Sequence, residues 1–122
     1  MYSVGIDLVE IARLKRSSNS ENFMKRVFSK KEKALFLSKS NPYPSMAGNW
    51  AGKEAFSKAL GTGVRDFSLN EVSVLRDELG KPYIELDGKA LEIAQSRNLQ
   101  FSISITHTKE LAEAVVIAYE RG

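Results

Sequence analysis

Residues 46–63 read Met46-Ala47-Gly48-Asn49-Trp50-Ala51-Gly52-Lys53-Glu54-Ala55-Phe56-Ser57-Lys58-Ala59-Leu60-Gly61-Thr62-Gly63. At 3.6 residues per turn Ala47, Ala51, Glu54 and Lys58 share one band, while Trp50, Phe56, Ala59 and Leu60 cover much of the remaining surface. Few faces are left for water. The pattern predicts a central helix over 46–60, packed on several sides. Gly61-Thr62-Gly63 stands where a C-cap and turn belong, and Pro42 and Pro44 break the chain ahead of it.

On the N-terminal side, residues 2–9 alternate as a strand, with Val4, Ile6 and Leu8 on one face and Gly5, Asp7 and Val9 on the other. Short helices are expected over Glu10–Arg16 and Glu21–Val27. Ser29 with Glu32 has the spacing of a capping box, opening a helix to about Ser38. On the C-terminal side, Val72–Arg76 and Pro82–Leu86 flank Asp77-Glu78-Leu79-Gly80-Lys81 as a hairpin, and a helix follows from Gly88 to about Arg97. Residues 101–106 alternate as a strand ending at His107, and Leu111–Tyr119 forms the last strand. One strand, several helices, two strands, a helix and two strands make an α+β fold.

With 122 residues, the chain is expected to be one domain over 1–122. Apolar residues make up 43% and charged residues 27%, as in an ordinary folded protein. Absence of cysteine excludes disulfides, thiolate metal sites and a cysteine nucleophile, and favours a reducing compartment. With a single histidine, any metal centre built within one chain must rely on oxygen ligands with at most that imidazole, which favours a hard cation such as magnesium. No apolar run approaches the length of a spanning helix, and no secretory signal is expected from the first residues. A cytoplasmic location is expected. The formal charge of +3 gives a mild preference for anionic partners.

Asp7 is the position that asks for an explanation, because a carboxylate inside an apolar strand costs several kcal/mol unless it is paired. It either pairs with a neighbouring cation or turn, or it is a metal ligand. Glu54 poses the same question from the central helix, where its alternatives are an i to i+4 pair with Lys58 and a ligand role. Two carboxylates on separate elements match the usual protein share of a magnesium site, completed by water and substrate phosphates. Lys53 and Lys58 flank Glu54, as solvated lysines or as phosphate neutralisers. His107 is either structural or a phosphate donor and proton relay. Gly61-Thr62-Gly63 is too short for a phosphate loop.

Three stretches together carry a resemblance: Gly5-Ile6-Asp7-Leu8-Val9-Glu10-Ile11, Lys53 through Gly63, and Ser102-Ile103-Ser104-Ile105-Thr106-His107-Thr108. With Phe28-Ser29, Glu32 and Gly80-Lys81-Pro82 between them, they resemble the holo-acyl-carrier-protein synthases, the short, single-domain group of 4′-phosphopantetheinyl transferases. The resemblance covers nearly the whole chain and implies that family's fold. It implies transfer of phosphopantetheine from coenzyme A to a serine of apo acyl carrier protein, releasing adenosine 3′,5′-bisphosphate. On the same footing Asp7 and Glu54 hold magnesium, and Lys58 contacts the phosphate near the leaving group. Thr106 and His107 lie against the coenzyme, and Lys81 and Pro82 border the nucleotide. The proton acceptor is left open between Glu54 and a water on the metal.

Acyl carriers are acidic, so the basic run Arg13, Lys15 and Arg16 is the expected docking surface, with Arg13 foremost and Arg16 beside it. The resemblance further implies a homotrimer with active sites between subunits, in the service of fatty acid biosynthesis. One departure stands out. Related sequences often read Gly-Arg-Phe-Ala-Ala-Lys-Glu where this chain has Gly48-Asn49-Trp50-Ala51-Gly52-Lys53-Glu54. Asn49 lacks the arginine's charge, so one nucleotide phosphate contact is expected to weaken unless Lys31, Lys39 or another cation replaces it. The rival class is a noncatalytic binder of carriers or of nucleic acid, which the scarcity of aromatic residues among Lys30, Lys31 and Lys33 disfavours for single strands.

Overall fold

Gly5 sets the spacing of the whole molecule. A Cβ at this position would sit 1.9 Å from the Ala55 carbonyl oxygen, so only glycine lets the central helix lie so close to the first strand. The computed structural model describes residues 2–62 and 65–122. In chain order the elements are β1 (Tyr2–Glu10), α1 (Ile11–Ser17), α2 (Glu21–Val27), α3 (Lys30–Leu37) and the central α4 (Tyr43–Leu60). They continue with β2 (Val72–Arg76), β3 (Pro82–Leu86), α5 (Gly88–Ser96), β4 (Leu99–His107) and β5 (Leu111–Glu120). A single 3-10 turn, Leu69–Glu71, precedes β2.

The architecture is α+β. β5 lies between β1 and β4 in an antiparallel three-stranded sheet, while β2 and β3 form a separate antiparallel pair. In the larger sheet Asp7 stands opposite Ala114 and Ala114 opposite Ile105, while Val9, Ala112 and His107 form the next row on the same face. α4 packs across this face. The β5 residues beneath it are Ala112, Ala114, Val116 and Ala118, small enough to admit the helix, and Gly48 and Gly52 meet Ile105 and Ile103 of β4. Phe28, Phe56, Leu14, Val27, Val72, Val74 and Val116 are the large apolar side chains fully buried around it.

Strand and helix positions agree with the sequence reading within a few residues, and the hairpin ends coincide with it. The Ser29–Glu32 capping box is present, with each side chain bonded to the other's backbone N–H. Two differences have physical causes. α4 starts at Tyr43 instead of Met46 and takes Pro44 into its first turn, where a missing N–H costs no helical bond. The 3-10 turn at Leu69–Glu71 has its own Ser68–Glu71 capping box, too short a signal to separate from a loop. Gly61 caps α4 with φ +80, as expected, but Gly63 lies outside the described residues.

The outer face of the sheet is apolar along β1. Ser3, Gly5, Asp7 and Val9 face α4, so the more apolar row of β1 points away from the core. Tyr2, Val4, Ile6 and Leu8 are 79%, 64%, 53% and 55% exposed, and Ile117 of β5 joins them.

Candidate active site

β1 and α4 bring the two predicted carboxylates to the same region. Alternation on β1 turns Asp7 inward toward α4, where Lys58 Nζ donates to its Oδ1 at 3.2 Å and to the Ile6 carbonyl at 2.9 Å. The Asp7 side chain is 21% exposed and that of Lys58 56%, so the pair sits at the rim. This is the cation partner that the Asp7 strand position called for. Lys58 therefore pairs across to β1, not along its own helix to Glu54.

Glu54 lies one turn before Lys58 and is half-buried. Its carboxyl pKa is raised, first by loss of solvent and then by the negative charge of Asp7. Lys58, the Trp50 indole and Arg13 pull it back to a lesser extent. The Asp7 charge that makes Glu54 harder to ionise marks a locus where a cation is favoured. The donors present are all carboxylate oxygens, which suits a hard divalent ion. Among the described residues no group of three or more metal-ligating side chains exists, so Asp7 and Glu54 would leave most positions of such an ion to substrate and water.

Trp50 is a site residue that periodicity alone did not distinguish. It stands at i−4 from Glu54, packs edge-on against Phe23 at 5.0 Å and carries the Arg13 guanidinium 5.2 Å from its ring centroid. Spacing Trp50, Glu54 and Lys58 four apart on one helix was the available signal. Arg13 and Arg16 are exposed on α1, and Lys15 lies over Tyr43 at 5.1 Å. α1 thus presents cations beside the carboxylates.

The remaining predicted residues are divided between the end of β4 and the β2–β3 hairpin. His107 ends β4 on the α4 side and its Nδ1 lies 3.3 Å from the Thr108 carbonyl, whereas Thr106 points to the opposite face. Lys81 and Pro82 lie at the β2–β3 turn, which Asp77 closes by accepting from the N–H groups of Leu79 and Lys81, each at 2.9 Å. The structure thus gathers Asp7, Glu54 and Lys58, and leaves Lys81 and Pro82 on the separate hairpin.

Lys53 is corrected outright. It is neither solvated nor available to a phosphate: both it and Glu32 are fully buried, with Nζ 2.5 Å from Glu32 Oε1. Nζ also donates to the Leu69 carbonyl at 3.0 Å and to the Val72 carbonyl. Burial lowers the Lys53 pKa and Glu32 works against that. Asn49 completes the cluster, donating to Glu32 Oε2 at 3.0 Å and to the Val74 carbonyl at 2.8 Å. Glu32 was legible as a capping residue, but its second role depends on α3 docking against α4 and β2.

Comparison with known proteins places this arrangement. The profile of the 4′-phosphopantetheinyl transferase superfamily matches residues 3–119. The holo-[acyl-carrier-protein] synthase of Alkaliphilus oremlandii is 44% identical over 117 residues, covering 94% of this chain and 96% of that protein. Among solved structures, the holo-[acyl-carrier-protein] synthase of Neisseria meningitidis superposes with a TM-score of 0.89 at 27% identity, covering 97% of this chain and 98% of that one. The Helicobacter pylori holo-[acyl-carrier-protein] synthase, solved in complex with coenzyme A, gives 0.82 at 33% identity over 95% of this chain and 99% of that one. By sequence and by fold, this chain belongs to the 4′-phosphopantetheinyl transferase superfamily, among the holo-acyl-carrier-protein synthases.

Proposed function

We propose that this single domain transfers 4′-phosphopantetheine from coenzyme A to a serine of apo acyl carrier protein. The observation that carries the reading is the meeting of Asp7 from β1 with Glu54 and Lys58 from α4. The serine oxygen forms a bond to the β-phosphorus of the coenzyme as the bond from that phosphorus to the bridging oxygen breaks. Adenosine 3′,5′-bisphosphate leaves with the bridging oxygen, and the serine proton passes to Glu54. Lys58 is largely exposed and directs its ammonium to the transferring phosphate. Asp7 and Glu54 would hold a magnesium ion, which supplies Lewis-acid polarisation of the diphosphate when bound.

The acidic carrier docks on α1 through Arg13 and Arg16, with Arg13 placed by its stacking on Trp50 one turn from Glu54. Thr106, His107, Lys81 and Pro82 contact the coenzyme. The chain works as a cytoplasmic homotrimer, with the nucleotide contacts completed by a neighbouring subunit. Support for assembly comes from the outward row Tyr2, Val4, Ile6 and Leu8, an apolar surface that alternates residue by residue with the inward row holding Asp7. Among the described residues no helix is long and apolar enough to cross a membrane.

The test mixes the purified chain with coenzyme A, magnesium and an apo carrier, and weighs the carrier by mass spectrometry. The expected result is a gain of one phosphopantetheine arm, lost with Asp7→Ala and with Glu54→Ala while the far-ultraviolet circular dichroism is unchanged. No gain with the parent chain rejects the transferase reading in favour of a carrier-binding module.

A further inference from the structure

Arg76 is the last residue of β2, opposite Pro82 in the hairpin register. Its half-buried guanidinium donates from Nη2 to Asn49 Oδ1 at 2.9 Å and from Nη1 to the Leu75 carbonyl at 3.3 Å. Both acceptors are neutral. Among the described residues no carboxylate lies within ion-pair distance of it. A guanidinium carries five N–H donors, so three remain for a ligand or water.

The amide that holds Arg76 cannot turn away. Asn49 is fully buried, and its Nδ2 is committed to Glu32 and to the Val74 carbonyl, which leaves Oδ1 facing the guanidinium. The Glu32 charge is already matched by Lys53 in a direct bond, so the cluster of Glu32, Lys53 and Arg76 carries one uncompensated positive charge. Loss of solvent disfavours the charged form of Arg76, with Glu32 only partly offsetting it. An anion at this point gains a fixed, partly desolvated fork with two-pronged geometry.

Location selects the anion. Asn49 is nine residues before Lys58 on α4, which is about 13 Å along the axis at 1.5 Å per residue. Glu54 is five residues on from Asn49, about 7.5 Å, so Arg76 is set apart from the reacting end of the site, further from Lys58 than from Glu54. The proposed coenzyme carries one more phosphate, a monoester on its ribose, separated from the diphosphate by the sugar. Of the alternatives to a position-49 arginine, Lys31 is bonded to Glu85. We propose that Arg76, positioned by Asn49, binds the 3′-phosphate of the coenzyme and so supplies the guanidinium that Asn49 itself lacks. The ligand named here rests on the transferase reading.

Binding, measured without turnover, tests the residue separately from that reading. Adenosine 3′,5′-bisphosphate and adenosine 5′-monophosphate are titrated calorimetrically into the parent, Arg76→Met and Arg76→Lys proteins. The parent is expected to bind the bisphosphate at least about tenfold tighter, the weight of one charge-assisted contact. Arg76→Met erases the preference, Arg76→Lys restores part of it, and affinity for the monophosphate is the same in all three. The proposal is overturned if the parent shows no preference, if Arg76→Met keeps it, or if both nucleotides weaken equally. Failure of the transferase reading would show instead in the carrier mass, whatever Arg76 does.

Discussion

Replacing Lys53 by methionine removes the one cation bonded to a fully buried carboxylate. The loss is large because every partner is inside: Glu32 is 0% exposed, and the carbonyls of Leu69 and Val72 lose the same donor. Glu32 keeps N–H donors from Ser29, Asn49 and Val74, so its oxygens are not stripped of hydrogen bonds, but its charge is left without a bonded counter-charge. Breaking a buried pair on one side typically costs about 3–5 kcal/mol. For 122 residues at about 2.1 cal/mol/K each, the unfolding entropy near the melting point is roughly 0.26 kcal/mol/K, so Tm should fall by about 12–20 °C. The assay is thermal unfolding followed by circular dichroism at neutral pH. Glu32→Gln with Lys53→Met leaves no bare charge and should melt above Lys53→Met alone. A fall of less than about 4 °C in the single variant, or a double variant that melts lower still, refutes the claim that this pair clamps α4.

Glu54→Gln should behave in the opposite way in metal-free buffer. A carboxyl whose folded pKa is raised binds its proton more tightly when folded than when unfolded, so stability is lost as pH rises through and above the ordinary carboxylate range. The variant should therefore melt higher than the parent at pH 7 and no higher at pH 4, while transfer is abolished; equal melting points at pH 7 would count against the burial argument. Ile6→Asp puts a charge in the exposed apolar row, and on the proposed assembly sedimentation should report trimers for the parent and monomers for the variant; an unchanged assembly would move the interface elsewhere. Arg13→Ala should raise KM for the carrier severalfold, with KM for coenzyme A unchanged, because steering by rim charges acts on encounter; a loss confined to kcat would place Arg13 in the chemistry instead.

Much of the scaffold was legible because its signals are local. Alternation marked β1 and β4, richness in valine and isoleucine marked β5, the Ser29–Glu32 spacing marked the start of α3, and the glycine after Leu60 marked the end of α4. Asp7 and Glu54 were legible for a different reason, as charges in runs that otherwise read as buried. Lys53 was not. A lysine beside a candidate ligand reads as a surface cation, and only the docking of α3 and β2 against α4 shows that its partners are Glu32 and two carbonyls. The outward direction of Val4, Ile6 and Leu8 was equally hidden, since alternation identifies two rows without saying which one the helix covers.

The adjacent residues Lys53 and Glu54 show how the fold joins stability to chemistry. About 100° apart around α4, one points into the buried cluster with Glu32 and the other toward Asp7. Rotation of α4 that relaxed the crowding between Glu54 and Asp7 would pull Lys53 away from Glu32 and the carbonyls it serves. On the opposite side, Gly5 presses directly against the Ala55 carbonyl and the Ser3 hydroxyl donates to the Ala59 carbonyl at 2.7 Å, so the helix cannot slide along β1 either. Two carboxylates that repel each other are therefore held together by the Gly5, Ser3 and Lys53 contacts as well as by the Lys58–Asp7 pair. That arrangement would keep the proposed cation site formed before its ligands arrive, with the stabilising contacts elsewhere, so that Lys53→Met and Glu54→Gln should move stability in opposite directions.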